Sequence, residues 1–225
     1  MSLRVATWNL QRNNSGRVLD DCKRIIWAHP DTYFCVQEVT ERMRDELSQI
    51  LQRHFAHADE NMIVSAEGAH VENPQVLHFW DKSRSFLQAE IPVIGGVSML
   101  LTGKLIHGPF FIERYRVLKR LYALYRDFPT VLALDGNHVI PGEFYMASTL
   151  LKRHWFRSTH HPEGTHDIRR LEWWKFRLLP TILARRQLDR ILSSSHFTLD
   201  SSQVFLWVNS SDHELLIANL TLIRQ

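Results

Sequence analysis

Cysteine is scarce in this chain, with Cys22 and Cys35 the only two among 225 residues. Two thiols cannot build a disulfide framework, so a reducing compartment is the expectation. No window approaches ~20 uninterrupted apolar residues, which excludes an α-helical membrane span. The first residues carry no basic stretch followed by an apolar core, so no secretory signal is expected and the chain reads as cytoplasmic. Repeats and low-complexity linkers are also missing, and the length suits one domain over residues 1–225 with a two-layer core. Charge of one sign is not in large excess: 27 Lys and Arg against 24 Asp and Glu give a net +3. So weak a bias is compatible with a phosphate-bearing substrate but does not establish a nucleic-acid partner.

What the sequence does hold is a set of short polar islands, each following a strand-like or basic approach. They are Trp8-Asn9, Gln37-Glu38, Asp135-Gly136-Asn137, Leu188-Asp189-Arg190-Ile191 and Ser211-Asp212-His213. Apolar runs such as Leu3–Thr7, Tyr33–Val36, Thr130–Leu134 and Val204–Val208 lead into four of them, and Arg185-Arg186-Gln187 leads into the Asp189 island. Strands that end in carboxylates, amides and an imidazole can converge those groups on one sheet edge. Oxygen ligands of that kind suit a hard divalent cation such as Mg²⁺.

Between the islands, helical spacing of Val18, Leu19, Cys22, Ile25 and Ile26 predicts a helix from Arg17 to Ala28, stopped at His29-Pro30. Thr40 is placed to cap a second helix running to Arg53, with Met43, Leu47, Ile50 and Leu51 on one face. Three antiparallel strands are expected near Met62–Ser65, Val76–Trp80 and Val97–Thr102. A helix from Phe111 to Arg126 follows, with Ile112, Tyr115, Leu118, Leu121 and Leu124 read as inward. Then come a strand at Thr130–Leu134, a short helix at Glu143–Leu151, and closing strands at Leu188–Ser193, Phe205–Val208 and Glu214–Leu222. This order suggests an α+β fold of two packed sheets with helices outside.

Taken together the islands resemble the motifs of the endonuclease/exonuclease/phosphatase superfamily. Ala6-Thr7-Trp8-Asn9-Leu10 is similar to its "WN" motif and Val36-Gln37-Glu38-Val39 to its "QE" motif. Leu134-Asp135-Gly136-Asn137 stands for "GDFN", Gln187–Leu192 for "IDyIl" and Ser211-Asp212-His213 for "SDH". Each motif is weak alone; five in order across nearly the whole chain are specific. The resemblance implies a four-layer αββα sandwich of two mainly antiparallel sheets packed face to face. It also implies a Mg²⁺- or Mn²⁺-dependent hydrolase of phosphate esters, with a phosphate ester and nucleic acid as the candidate partners.

By the residues and the resemblance, Glu38 is the expected principal metal ligand, with Asn9 orienting it or the phosphate. His213 is expected to act as base or phosphate contact and Asp189 to hold its other nitrogen. Asp212, across the pleat from His213, is placed to reach a second metal. Asp135 and Asn137, two apart, point the same way, and could polarise water and donate to a phosphate oxygen. Alone, Glu38 would read as a surface acid at a helix start, and His213 as one of 13 histidines.

The chain departs from the family where a further histidine or tyrosine is usual. If Thr102 takes the family's threonine position, the functional position falls on Gly103, and Lys104 or His107 could replace it. That departure leaves a weakened or inactive phosphate- or nucleic-acid-binding protein as the alternative, beside a phosphatase of small esters. Residues 154–187 interleave Trp155, Trp173 and Trp174 with Arg169, Arg170 and Arg177. Such a stretch can stack on bases, and equally can be an amphipathic helix packing Leu171, Trp174 and Leu178. His160, His161, His166 and Asp167 match no zinc spacing well, so a polar loop is expected there.

Overall fold

In β1 (Ser2–Asn9) the side chains alternate between two apolar surroundings. Leu3 and Val5 enter one cluster, while Ala6, Trp8 and the adjoining Leu10 enter another. The period of two demands a packed layer on each face. β2 (Thr32–Gln37) divides in the same way, Tyr33 and Cys35 to one side, Phe34 and Val36 to the other. The structure, a computed structural model, supplies both layers. It describes residues 2–10, 16–79, 81–105, 111–136, 157–159, 165–167, 185–186, 188–205, 211 and 213–223.

Along the chain, α1 (Gly16–Ala28) separates β1 from β2, and α2 (Glu41–Leu51) precedes β3 (Phe55–Ala58) and β4 (Asn61–Val64). Next are β5 (Glu72–Phe79), β6 (Asp81–Val93), β7 (Gly96–Lys104), α3 (Phe111–Tyr125) and β8 (Thr130–Asp135). The later strands are β9 (Arg157–Ser158), β10 (His166–Asp167), β11 (Arg185–Arg186), β12 (Asp189–Ser193), β13 (Phe197–Phe205) and β14 (Leu215–Leu222). One sheet runs β13-β14-β1-β2-β4-β3, the other β5-β6-β7-β8-β12-β9, and β10 pairs with β11 in a short ribbon. Only β1–β2 and β7–β8 are parallel among the described pairs; the rest are antiparallel.

One cluster, including Val5, Cys35, Leu100, Ala133, Ile191 and Ala218, fills the space between the sheets. α1 and α2 pack on the outer face of the first sheet through Val18, Cys22, Ile26, Met43 and Leu47. α3 covers the second through Leu118, Leu121 and Tyr125 against Leu101, Leu132 and Leu134. The layers are therefore helix, sheet, sheet, helix: the αββα sandwich that the motifs implied. No helix among the described residues is long and apolar enough to cross a membrane.

Several elements differ from the reading of the sequence. Thr40 does cap α2, its hydroxyl accepting from Met43 N–H, but Ile50 lies at the surface with 36% exposure. In α3 the buried stripe is Arg114, Leu118, Leu121 and Tyr125, whereas Ile112 and Leu124 are 58% and 49% exposed. Steps of three residues precess by about 60° each on a 100°-per-residue helix, so an evenly spaced apolar series cannot stay on one face. β6 was not expected as a strand, because Asp81, Lys82, Arg84 and Glu90 mask its alternation of Leu87, Ala89 and Ile91 into the core. All but Phe205 of the expected Phe205–Val208 strand lies outside the described residues, and β13 was not expected as a strand either. Its polar middle, Asp200-Ser201-Ser202-Gln203, and the bulge between Leu199 and Ser201 disguise the pattern. The helix expected at Glu143–Leu151 and most of 154–187, with His160, His161, Leu171, Trp174 and Leu178, lie outside the described residues.

Candidate active site

The period of two that builds the core also builds the site. On β1 the inward series Leu3, Val5 continues through Thr7 to Asn9, and on β2 Tyr33, Cys35 continues to Gln37. On β7 Leu100 is followed by Thr102 and Lys104, and on β8 Val131 and Ala133 by Asp135. On β12 the inward series begins at Asp189 before Ile191. Pairing aligns these ends: Asn9 lies opposite Gln37, Lys104 opposite Asp135, and Asp135 opposite Asp189. One end of the inter-sheet core thus changes from apolar to polar within a single residue layer.

Strand parity would send Glu38 to the helix side. Its backbone prevents this, with φ at 56° in the left-handed region that non-glycine residues seldom occupy. Such a conformation costs roughly 1–2 kcal/mol, and here it re-aims the carboxylate toward the inter-sheet face. Glu38 Oε1 accepts from Asn9 Nδ2 at 3.1 Å and forms an ion pair with Lys104. Asn9 Nδ2 also donates to Asp135 Oδ2 at 2.9 Å, so one amide ties two acids together. Burial would raise the Glu38 carboxyl, but the hydrogen bond and charge of Lys104, helped by Asn9 and His213, hold it below the ordinary value of 4.5.

Asp189 is buried, and its Oδ2 lies 2.8 Å from His213 Nδ1. The ligand atoms of Asp135, Asp189 and His213 all fall within 4.8 Å of one another. Burial, the largest influence, pushes the Asp189 carboxyl above its ordinary 3.8 against the opposing charge and hydrogen bond of His213, and Asp135 adds like-charge repulsion. Asp189 Oδ1 is buried with no hydrogen-bond partner among the described residues. A buried carboxylate oxygen left in that state is costly, and a cation is one means of satisfying it.

Three carboxylates, Glu38, Asp135 and Asp189, share this small volume with one lysine and one imidazole. The donor set is hard and acid-rich, so the residues present fit a divalent cation of the Mg²⁺ or Mn²⁺ kind. Asp212 and Asn137, expected as metal ligand and amide donor, lie outside the described residues, as does His107.

The sequence reading put the altered position at Gly103, with Lys104 or His107 able to replace it, and in the structure Gly103 and Lys104 lie on opposite faces of β7. Gly103 faces the α3 layer, where an added Cβ would lie 2.6 Å from Phe86 Cδ1, so that ring already occupies the space. Lys104, one residue on, is the β7 side chain that reaches the acids. The signal was present in the alternation Leu100, Thr102, Lys104, which puts Lys104 and not Gly103 on the inward face.

Two supporting residues were missed. Gln37 is buried and its Nε2 donates to Thr102 Oγ1 at 2.7 Å and to Thr7 Oγ1 at 3.0 Å, joining the sheets directly under the acids. The Thr165 hydroxyl accepts from both Leu188 N–H and Asp189 N–H, at 3.0 and 2.9 Å, and its carbonyl accepts from Glu214 N–H. Thr165 therefore fixes the backbone on both sides of the Asp189–His213 pair. No local pattern marks it. A second set of bonds clasps the first and last islands. Trp8 Nε1–H donates to the His213 carbonyl at 3.1 Å, and Ser211 Oγ donates to the Asn9 carbonyl at 2.8 Å while accepting from His213 N–H.

No family model matches the sequence, and no curated protein does. Solved structures do match in fold. D. rerio TDP2 complexed with single-strand DNA product superposes with a TM-score of 0.79 at 16% identity, covering 98% of this chain and 99% of that one. A Bacteroides vulgatus endonuclease/exonuclease/phosphatase gives 0.76 at 14% identity over 99% and 100% of the two chains. The human Nocturnin catalytic domain with bound sulfate gives 0.70 at 15% identity over 99% and 94%.

Proposed function

From the endonuclease/exonuclease/phosphatase fold that this chain carries, we propose that residues 1–225 form one domain that hydrolyses phosphate esters with a divalent metal. At finer grain we propose a phosphodiesterase acting on nucleic acid. The observation that carries the reading is the buried Asp189–His213 pair, 2.8 Å apart beside Asp135.

In this reading Asp189 accepts the Nδ1 proton of His213 and fixes the ring, leaving Nε2 as the nitrogen that exchanges a proton during hydrolysis. Asp135, bonded to Asn9, orients the attacking water, and Asn9 holds Asp135 and Glu38 at a fixed separation. Lys104 supplies positive charge where an anionic substrate would sit. Mg²⁺ or Mn²⁺, held by Glu38 with Asn9 and the neighbouring carboxylates, would supply charge stabilisation to the phosphoryl oxygens. Positioning and electrostatics account for most of the catalysis available to such a site.

The nucleic-acid assignment is supported by the DNA complex of the D. rerio protein, whose fold this chain shares over nearly its whole length. A second reading, a phosphate-binding protein with little or no turnover, is favoured by one observation: the Lys104 ammonium sits on Glu38.

A panel of single-stranded DNA, duplex DNA, small phosphodiesters and phosphomonoesters, assayed with Mg²⁺ and Mn²⁺, separates these readings. Single-stranded DNA is expected to give the highest kcat/KM. His213→Ala and Asp189→Asn should each lower kcat by about 10²–10⁴-fold without unfolding the protein. Metal-dependent turnover that survives both substitutions would rule out the site assignment, and metal binding with no turnover of any ester would favour the second reading.

A further inference from the structure

The Glu38 carboxylate is used unevenly. Oε1 receives both Asn9 Nδ2 and the Lys104 ammonium, while Oε2 accepts no hydrogen bond among the described residues. The carboxylate is mostly buried, with 13% of its side chain exposed, whereas Lys104 exposes 39%. Glu38 is thus fixed by a strained backbone and an amide, and its cationic partner is the more exposed member of the pair. A lysine ammonium on a flexible four-carbon stem can leave such a position with little disturbance of packing. Lys104 is also opposite Asp135 in the β7–β8 register, so its stem rises between two of the three acids.

We propose that Lys104 is a tethered competitor for the metal site: its ammonium holds Glu38 when no divalent ion is bound, and an incoming ion must displace it from that carboxylate. The inference rests on the reading of Glu38 as a metal ligand. It adds that the affinity for the ion is set in part by a residue that does not ligate it. Even an ion arriving at the open Oε2 would stand a few ångströms from the ammonium on Oε1, and two cations that close on one carboxylate repel strongly. The competition is therefore direct and is more than a general effect of positive charge in the neighbourhood.

Mn²⁺ binding can be followed without turnover by the paramagnetic resonance signal of the free ion. Titrations would compare wild type, Lys104→Met, Lys104→Gln, Glu38→Gln and the double variant Glu38→Gln/Lys104→Met, each first checked by thermal melting. Both Lys104 variants are expected to bind Mn²⁺ about tenfold more tightly, and Glu38→Gln at least tenfold more weakly. In the Glu38→Gln background the tightening from Lys104→Met should vanish, because the contested carboxylate is gone. If Glu38→Gln weakens binding but neither Lys104 variant tightens it, competition is overturned while Glu38 remains a ligand. Tightening that persists undiminished in the double variant likewise overturns it, leaving only a general field effect. Unchanged affinity in Glu38→Gln removes the ligand reading, and the competitor with it.

Discussion

Gln37 shows how much can depend on a side chain that never meets substrate. Its amide reaches across the gap between the sheets and satisfies hydroxyls on both, Thr7 on β1 and Thr102 on β7. Gln37→Leu preserves approximate volume but leaves those buried hydroxyls without that donor. Chemical denaturation should show a loss of about 1–3 kcal/mol, and a loss under ~0.5 kcal/mol would show that the clamp is not needed. The residue types at Asn9, Glu38, Asp135 and His213 were legible from the apolar runs that lead into their islands, and Asp189 from its place in the ordered series of islands. The left-handed backbone at Glu38 was not, because nothing in the local sequence distinguishes it from a regular strand end. Thr165 was hidden for a different reason: its partners Leu188, Asp189 and Glu214 are brought to it by tertiary structure alone.

At the scale of the element, β7 is the strand where side and sequence part company. Gly103 lies under the ring of Phe86, its register partner on β6, and that ring is fully enclosed. Gly103→Ala would drive a methyl group to 2.6 Å from the ring and should destabilise the fold by about 1–3 kcal/mol. Adding Phe86→Leu should recover part of that loss. A Gly103→Ala protein as stable as wild type would mean the ring is elsewhere. A motif compared letter by letter draws attention to Gly103, whereas alternation along the strand shows that Lys104 is the side chain turned toward the acids. Elements with an uninterrupted apolar face, such as β1, β2 and α1, were readable for the same reason that β6 and β13 were not. In β13 one face meets solvent and carries an acid and serines that conceal the core-facing series, whereas in β6 both faces are covered and the polar Ser85, Gln88 and Glu90 interrupt the apolar pattern.

For the whole molecule, the two thiols occupy different layers. Cys22 is under α1 against the first sheet and Cys35 lies between the sheets. Burial pushes the Cys22 thiol up to about 12 and raises Cys35 as well, both from an ordinary 9.0. An acid whose folded pKa exceeds its unfolded value contributes stability that is complete below the unfolded pKa and is lost as pH rises toward the folded one. Between pH 9 and 11 the free energy of urea unfolding should therefore fall by roughly 1 kcal/mol per thiol for each pH unit. Cys22→Ala/Cys35→Ala should lack that component, and identical slopes in the two proteins would contradict neutral buried thiols.

The clasp between the first and last islands bears on how the protein is made. Trp8 and His213 are bonded across 205 positions of sequence, and β1 takes its place in the sheet between β2 and β14. On the ribosome β1 emerges early and must wait, one edge unpaired, until almost all of the remaining chain has been synthesised. Until His213 has been made, Asp189 lacks its histidine partner. The Asp189–His213 pair is therefore one of the last contacts the growing chain can complete, since it waits for a residue just before β14.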